Sequence, residues 1–278
     1  MNTVEFTAVV WVGSLLAGFL GALTGLGGGV VIVPLLTLVF HVDLKYAIGA
    51  ALVSVIATSS GAAAAYVKEG YSNVRVGMFL EIATTIGALS GAGLALYLKA
   101  SVIAVIFGLV LIYSAYTSIR AQPHDSTEQK PDRIATWLRM DSTYPTEHGL
   151  QSYHVSGIPL GFVLMYVAGV LSGLLGIGSG AVKVLAMDKA MKLPFKVSTT
   201  TSNFMIGVTA AASAGIYLSR GYIDPGLAMP VMLGVLIGSL AGARILAGAN
   251  VRILRIVFST VIGALALEMI YSGLTGKI

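Results

Sequence analysis

The chain has 278 residues, of which 56% are hydrophobic and 10% charged, and its mean hydropathy is +0.88. A water-soluble domain wets its surface with roughly 25% charged residues, so this composition excludes a soluble globular body and indicates a polytopic protein of the lipid bilayer. The 34 glycines follow no Gly-X-Y period, Cys is absent, and the net charge of +5 carries no basic cluster interleaved with aromatics; collagen, disulfides, thiolate metal sites and a nucleic-acid partner are thereby excluded.

Residues Met1 to Thr7 hold one acid, Glu5, and no base, whereas a cleavable signal peptide begins with a positive region. The apolar run from Phe6 to Phe40 is therefore read as mature membrane structure, broken at Gly25-Leu26-Gly27-Gly28-Gly29 and again at Pro34. Further apolar stretches cover about Ala47–Val67, Val76–Leu98 and Val102–Ile119. From Arg120 to Ser156 the chain turns polar, with Pro123, Pro131, Pro145 and three of the four His, and Ile134–Met140 is expected as a short amphipathic helix at the membrane surface. The apolar pattern resumes at Ile158–Met187, broken at Gly176-Ile177-Gly178-Ser179-Gly180, and continues through Val197–Leu218, Leu227–Leu246 and Ile253–Tyr271. The predicted organisation is a first membrane repeat at 1–119, a polar cytoplasmic linker at 120–156 and a second membrane repeat at 157–278.

The two membrane segments repeat one another. Shifting the sequence by 151 residues places Gly18 on Gly169, Gly25 on Gly176, Gly27 on Gly178 and Gly29 on Gly180. Lys45 meets Lys196, Thr58 meets Thr209, Tyr66 meets Tyr217 and Gly70-Tyr71 meets Gly221-Tyr222 in the same register. Shared charged and aromatic positions at one constant offset mark an internal duplication.

Charge decides the orientation. If all eight apolar blocks span once, the Lys and Arg of alternate loops divide eight against eight. If each glycine-broken block is a hairpin that enters and leaves on one face, they divide twelve against four, with Lys183 inside a hairpin and uncounted. The positive-inside rule favours the second arrangement. It places both termini outside and gives each repeat an odd number of crossings. The predicted fold is an all-α polytopic membrane protein of two inverted repeats, each a glycine-broken helical hairpin plus three transmembrane helices, an architecture recurrent among secondary transporters.

Backbone at membrane depth must be buried in protein or line a polar cavity. Gly-x-Gly-Gly-Gly cannot hold a lipid-facing helix, and glycine's freedom at positive φ leaves bare N–H groups at the start of the next half-helix, where the helix dipole also favours an anion. Gly25, Gly27, Gly28 and Gly29 of the first break and Gly176, Gly178, Ser179 and Gly180 of the second are accordingly candidate binding residues for a small anion; tight helix crossing is the alternative use of such glycines, and the one preferred for Gly87, Gly91, Gly238 and Gly242. The run Ser198-Thr199-Thr200-Thr201-Ser202-Asn203 supplies neutral donors, with Thr200, Thr201, Ser202 and Asn203 as candidates; back-bonding to their own helix is the competing explanation. Lys183, four residues into the half-helix after the second break, is a candidate anion partner, with snorkelling as the alternative. Glu81, near the inner end of the third apolar block, and Glu268, near the outer end of the last helix, could each carry protons. Both lie close enough to an interface to be read as structural, and Arg244 is read as a cytoplasmic boundary. All four His lie in loops or the linker. A serine–histidine enzyme therefore lacks its base, and no catalytic residue, metal ligand or cofactor is expected. Neither glycine run sits in a βαβ unit, which sets aside a nucleotide loop.

The segment Gly18-Phe-Leu-Gly-Ala-Leu-Thr-Gly-Leu-Gly-Gly-Gly-Val-Val-Ile-Val-Pro34, its echo at Gly169–Val184, Thr200-Thr201-Ser202-Asn203-Phe204-Met205-Ile206-Gly207 and Gly242-Ala243-Arg244 resemble the TauE/SafE family of prokaryotic membrane permeases. The resemblance covers nearly the whole chain outside the linker. It implies transport of a sulfur-containing oxyanion, sulfite or a small organosulfonate, across the cytoplasmic membrane, in the outward direction. This chain departs from the family at Gly49-Ala50-Ala51, where members often carry Gly-Thr-Ser, so the first-half side of a site is less polar. A membrane-embedded enzyme or a partner subunit without transport of its own is the alternative reading. The sequence sets no oligomeric state.

Overall fold

The structure is a computed structural model that describes residues 3–24, 29–68, 70–120, 132–146, 149–246 and 251–278. The break residues Gly25, Leu26, Gly27 and Gly28 lie outside the described residues. In the first half α1 (Thr3–Thr24) precedes α2 (Gly29–Pro34), which continues into a π-helical turn at Leu35–Val39; α3 (Leu44–Lys68), α4 (Val74–Tyr97) and α5 (Ala100–Arg120) follow. In the second half α7 (Ile158–Leu175) precedes α8 (Gly180–Leu185) and a π-helical turn at Ala186–Ala190, then α9 (Phe195–Ser219), α10 (Pro225–Leu246) and α11 (Val251–Leu274). Between them stand α6 (Arg133–Trp137) and an antiparallel hairpin of β1 (Ser142–Thr146) and β2 (Gly149–Tyr153).

The 151-residue register of the sequence recurs in the helix starts: Gly29 and Gly180, Leu44 and Phe195, Val74 and Pro225, Ala100 and Val251. It extends to backbone conformation, since His41 and Lys192 share φ of 53° and 59°, and Gly70 and Gly221 share 77° and 75°. The π-helical turns repeat as well, with Phe40 N–H donating to Leu35 O and Met191 N–H to Ala186 O. Pro34 closes α2, but its counterpart is Leu185, so the missing proline N–H cannot be what makes the turn.

Helix crossings are set by glycine. A Cβ at Gly87 or Gly91 would run into the carbonyls of Tyr166 and Val170, one at Gly169 or Gly173 into those of Thr84 and Ala88, and one at Gly18 or Gly238 into those of Val235 and Leu15. Small residues thus let the backbones of α4 and α7, and of α1 and α10, approach to contact. The α5–α11 pair is tied at both ends, Ser101 Oγ donating to Ile278 O (3.0 Å) and Ser259 Oγ to Ala115 O (3.3 Å), which makes the two helices antiparallel. Lys196 Nζ lies 3.9 Å from the Tyr71 ring centroid and Lys45 Nζ 5.5 Å from that of Tyr222, so each half supplies the cation to an aromatic of the other.

Each glycine-broken segment doubles back. Ser156 N–H donates to Met191 O (3.2 Å), and the Phe6 and Phe40 rings meet edge to face at 6.1 Å. The outer surface is apolar: Val9, Val12 and Leu16 on α1, Met78, Ile82, Ile86 and Leu89 on α4, and Leu160, Val163 and Val167 on α7 are exposed. Spaced by three and four, these residues form stripes facing away from the core, and water would not tolerate patches of that extent. Among the described residues α4 and α7 are long and apolar enough to cross a membrane.

The polar segment contains the small sheet that an all-α reading omits, and its helix is Arg133–Trp137 rather than Ile134–Met140. Asp132 caps that helix by accepting from Ile134 N–H (3.2 Å). The segment docks on one end of the bundle, where Ala135, Met140, Tyr153 and Val155 join a core with Val76, Leu80, Ile158, Met191 and Val197. Asn73 joins the parts. Its Nδ2 donates to Met140 O and to Tyr153 Oη, both at 2.8 Å, its Oδ1 accepts from Val76 N–H (3.1 Å), and its own N–H donates to Thr201 Oγ1 (3.0 Å). Burial pushes the Tyr153 phenol above its ordinary pKa.

Candidate functional site

The second break is a run of left-handed backbone. Gly176, at φ +70°, closes α7 with its N–H on Ser172 O (2.8 Å); Gly178 at +72° and Ser179 at +49° follow, and Gly180 opens α8. Serine in this region carries a steric cost that glycine avoids. Ser179 is buried, and its Oγ has no hydrogen-bond partner among the described residues. Ser172, one turn before the break, is likewise buried with its Oγ unpartnered. The first amides of α8 precede the i→i−4 ladder, which begins with Lys183 N–H on Ser179 O (3.1 Å).

The two halves meet at this point. A Cβ at Gly29, the described residue of the first break, would lie 3.0 Å from Gly176 O, 3.4 Å from Ile177 Cα and 2.8 Å from Val55 Cγ2. A Cβ at Gly178 would lie 2.8 Å from Ile206 Cγ2 and 3.3 Å from Val55 Cγ1, and one at Gly180 2.8 Å from Ile206 Cδ1. The breaks therefore rest on α3 and α9 through Val55 and Ile206, residues in repeat register. Gly49 packs on the Tyr222 carbonyl, which a Cβ there would strike.

The polar run of α9 divides by helix face, because successive residues turn by about 100°. Thr199 is half-buried and back-bonds to Phe195 O (2.9 Å). The Thr200 hydroxyl lies 3.0 Å from both Lys196 O and Tyr71 O, and Thr201 accepts from Asn73 N–H; both address the α3–α4 connection, away from the break. Ser202 Oγ donates to Gly180 O (3.3 Å), and Asn203 is half-buried. Of the sequence candidates, the structure brings together Gly29, Gly176, Gly178, Ser179, Gly180 and Ser202, with Lys183 one turn along α8.

Lys183 does not snorkel. Its side chain is 0% exposed and its Nζ donates to Thr209 Oγ1, whose own hydroxyl donates to Glu81 Oε1 (2.7 Å). Glu81 is buried between α4 and α9, contrary to its expected place near an interface. It also accepts from Thr85 Oγ1 (3.3 Å), while its Oε2 has no hydrogen-bond partner among the described residues. A charge pair joining the two halves carries no local sequence signal. The clue available was a departure from the repeat: Lys183 and Glu81 stand where the other half has Ile32 and Met232, whereas Thr209 matches Thr58.

Among the described residues no three His, Cys, Asp or Glu side chains gather as metal ligands would. A family profile described as Sulfite exporter TauE/SafE matches residues 10–269. The chain is 28% identical over 280 residues to the probable membrane transporter protein YunE of Bacillus subtilis, covering 97% of this chain and 99% of that one. It is 25% identical to YdhB of the same organism, over 85% and 87% of the two chains, and 25% identical to MJ0441 of Methanocaldococcus jannaschii, over 92% of each; both are likewise named probable membrane transporter proteins. No solved structure matches. With the profile running across both halves, the chain belongs to the TauE/SafE family, a family of membrane transporters rather than enzymes.

Proposed function

We propose that this membrane transporter is a secondary carrier that moves a small sulfur-containing oxyanion, sulfite or a small organosulfonate, outward across the cytoplasmic membrane of a prokaryote. The observation that carries this reading is the meeting of Gly29 with Gly176 and Ile177, beside the buried, unpartnered Ser179 hydroxyl. Backbone amides there bind the anion without the desolvation cost of a dedicated charge. Gly29 lines one side and Gly176, Gly178, Ser179 and Gly180 the other. Ser202 and Asn203 add neutral donors, Lys183 supplies charge balance, and Thr200 and Thr201 hold α9 in place against the α3–α4 connection. The substrate class follows from the family's description as sulfite exporters.

The halves act as inverted repeats, each a hairpin plus three spans, that rock against one another around the breaks. What supports this is the antiparallel α5–α11 pair, the exchanged Lys–Tyr contacts and the doubling back of both broken segments. The polar segment then lies on the cytoplasmic side with both termini outside. Purified protein in liposomes tests the proposal: labelled sulfite or a small sulfonate is expected to cross faster than in protein-free vesicles and faster than sulfate. Absence of any such flux contradicts it.

A further inference from the structure

The buried charges beside the break do work that packing does not require. Lys183 and Thr209 are each 0% exposed and Glu81 8%, and the Thr209 hydroxyl stands between ammonium and carboxylate. The repeat contains its own control: at the register-equivalent positions the molecule carries Ile32, Thr58 and Met232, and Ile32 is fully buried. An apolar solution therefore exists in the same fold, and a buried ion pair is seldom more stabilising than such a solution. An ionisable pair kept inside a membrane protein marks a pathway for ions or protons.

We infer that Glu81, Thr209 and Lys183 form a proton-coupling site through which about one proton travels with each monovalent anion. The inference rests on the transport reading above and adds the coupled ion; export is then driven by the anion's own outward gradient, with the proton carried along. In the empty carrier the Lys183 ammonium and the Glu81 carboxylate neutralise one another through Thr209. A proton adds to the carboxylate, whose Oε2 is unengaged, and gives the neutral acid. The ammonium, one turn beyond Gly180, is then uncompensated, and the anion entering at the break restores neutrality. On the opposite face the anion leaves, Glu81 releases its proton to that side, and the pair re-forms. The empty and the fully loaded carrier are both neutral, and anion and proton move in the same direction.

Thr209 is suited to this exchange. Its one hydroxyl proton has two acceptors within reach, Glu81 Oε1 at 2.7 Å and Met205 O at 2.8 Å, so it can turn to the carbonyl when Glu81 is protonated without movement of the backbone. The surroundings of Glu81 leave Lys183 as the charged group acting on it among the described residues. Its own helix presents Thr84 and Thr85, and α9 presents Thr209. Tyr166 of α7 faces outward, Tyr217 of α9 is bonded to Gly173 O, Lys196 is held on Tyr71, and Tyr153 of the docked hairpin is bonded to Asn73.

The test uses the full chain in liposomes containing a trapped pH dye, with sulfite and methanesulfonate as probes and protein-free vesicles as the blank. Methanesulfonate stays monovalent over the working pH range, so any proton it brings is carried by the protein. Wild-type protein is expected to acidify the lumen by about one proton per anion taken up, and to take up anion faster when the outside is made acid. Glu81→Gln, which fixes the neutral form, is expected to keep anion-for-anion exchange and lose both effects. Anion uptake by wild type without proton movement, or unchanged proton movement in Glu81→Gln, overturns the coupling and leaves the transport reading standing. No anion movement in wild type overturns both. If Glu81→Gln fails to insert, the wild-type proton-to-anion ratio decides alone.

Discussion

Gly178→Val is expected to reduce anion flux to the level of protein-free liposomes while the protein still inserts in the membrane. Two independent effects act at this position. The backbone stands at φ +72°, a region closed to β-branched side chains at a cost of about 1–3 kcal/mol. The added Cβ would also lie 2.8 Å from Ile206 Cγ2 and 3.3 Å from Val55 Cγ1, the residues on which both breaks rest. Relief requires the break to move away from α3 and α9, which separates Gly176 and Ile177 from Gly29. Insertion is set by the apolar spans, and Val is no obstacle to it. Gly215→Val is the matched control, because a Cβ there meets nothing within 4 Å. It is expected to retain flux, which is measured for both variants with labelled sulfite at equal protein density.

Lys183→Ile is expected to destabilise the fold as well as stop transport. It leaves Glu81 buried with no counter-charge, which costs about 3–5 kcal/mol and lowers the melting temperature in detergent by on the order of 10 °C. Adding Glu81→Met reproduces the pair that the register-equivalent positions already hold, Ile32 and Met232, and is expected to restore most of the lost stability with transport still absent. Stability and function thereby separate. A double variant as unstable as the single one would mean that the cluster is a structural requirement of the bundle. A double variant with wild-type flux would remove the pair from the transport cycle.

The duplication was readable because it is written in residue identities: Lys45 and Lys196, Tyr71 and Tyr222 recur at one offset, and the structure uses them in matched cross-half contacts. The position of the second break was equally plain, since Gly176, Gly178 and Ser179 hold the left-handed conformations that a dense glycine run makes accessible. The division of the polar run on α9 was not legible. Six consecutive hydroxyl and amide residues cannot share one face of a helix, and which of them meets the break depends on how α9 is rotated against α3 and α4. Thr200 and Thr201 turn toward Tyr71 and Asn73, and Ser202 toward Gly180. The hairpin at Ser142–Tyr153 was hidden because its strands are five residues each and the first contains Pro145. It owes its order to Tyr153 and Met140 docking on Asn73 rather than to a strong strand pattern. Glu81 and Lys183 were each visible as isolated charges in apolar sequence. Only the packing of α4 on α9 makes them partners.

Transport by this route requires that the two breaks enclose a site an anion can reach. The chain contains no Cys, so Ser179→Cys introduces a sole thiol at the buried hydroxyl beside Gly178 and Gly180, with a side chain close to serine in size. In proteoliposomes this thiol is expected to react with a small hydrophilic thiol reagent, and the reaction is expected to slow as methanesulfonate is added, with half-protection at the concentration that half-saturates its flux. A thiol that reacts with no aqueous reagent from either side, or one whose labelling is indifferent to every anion the protein carries, would contradict the account.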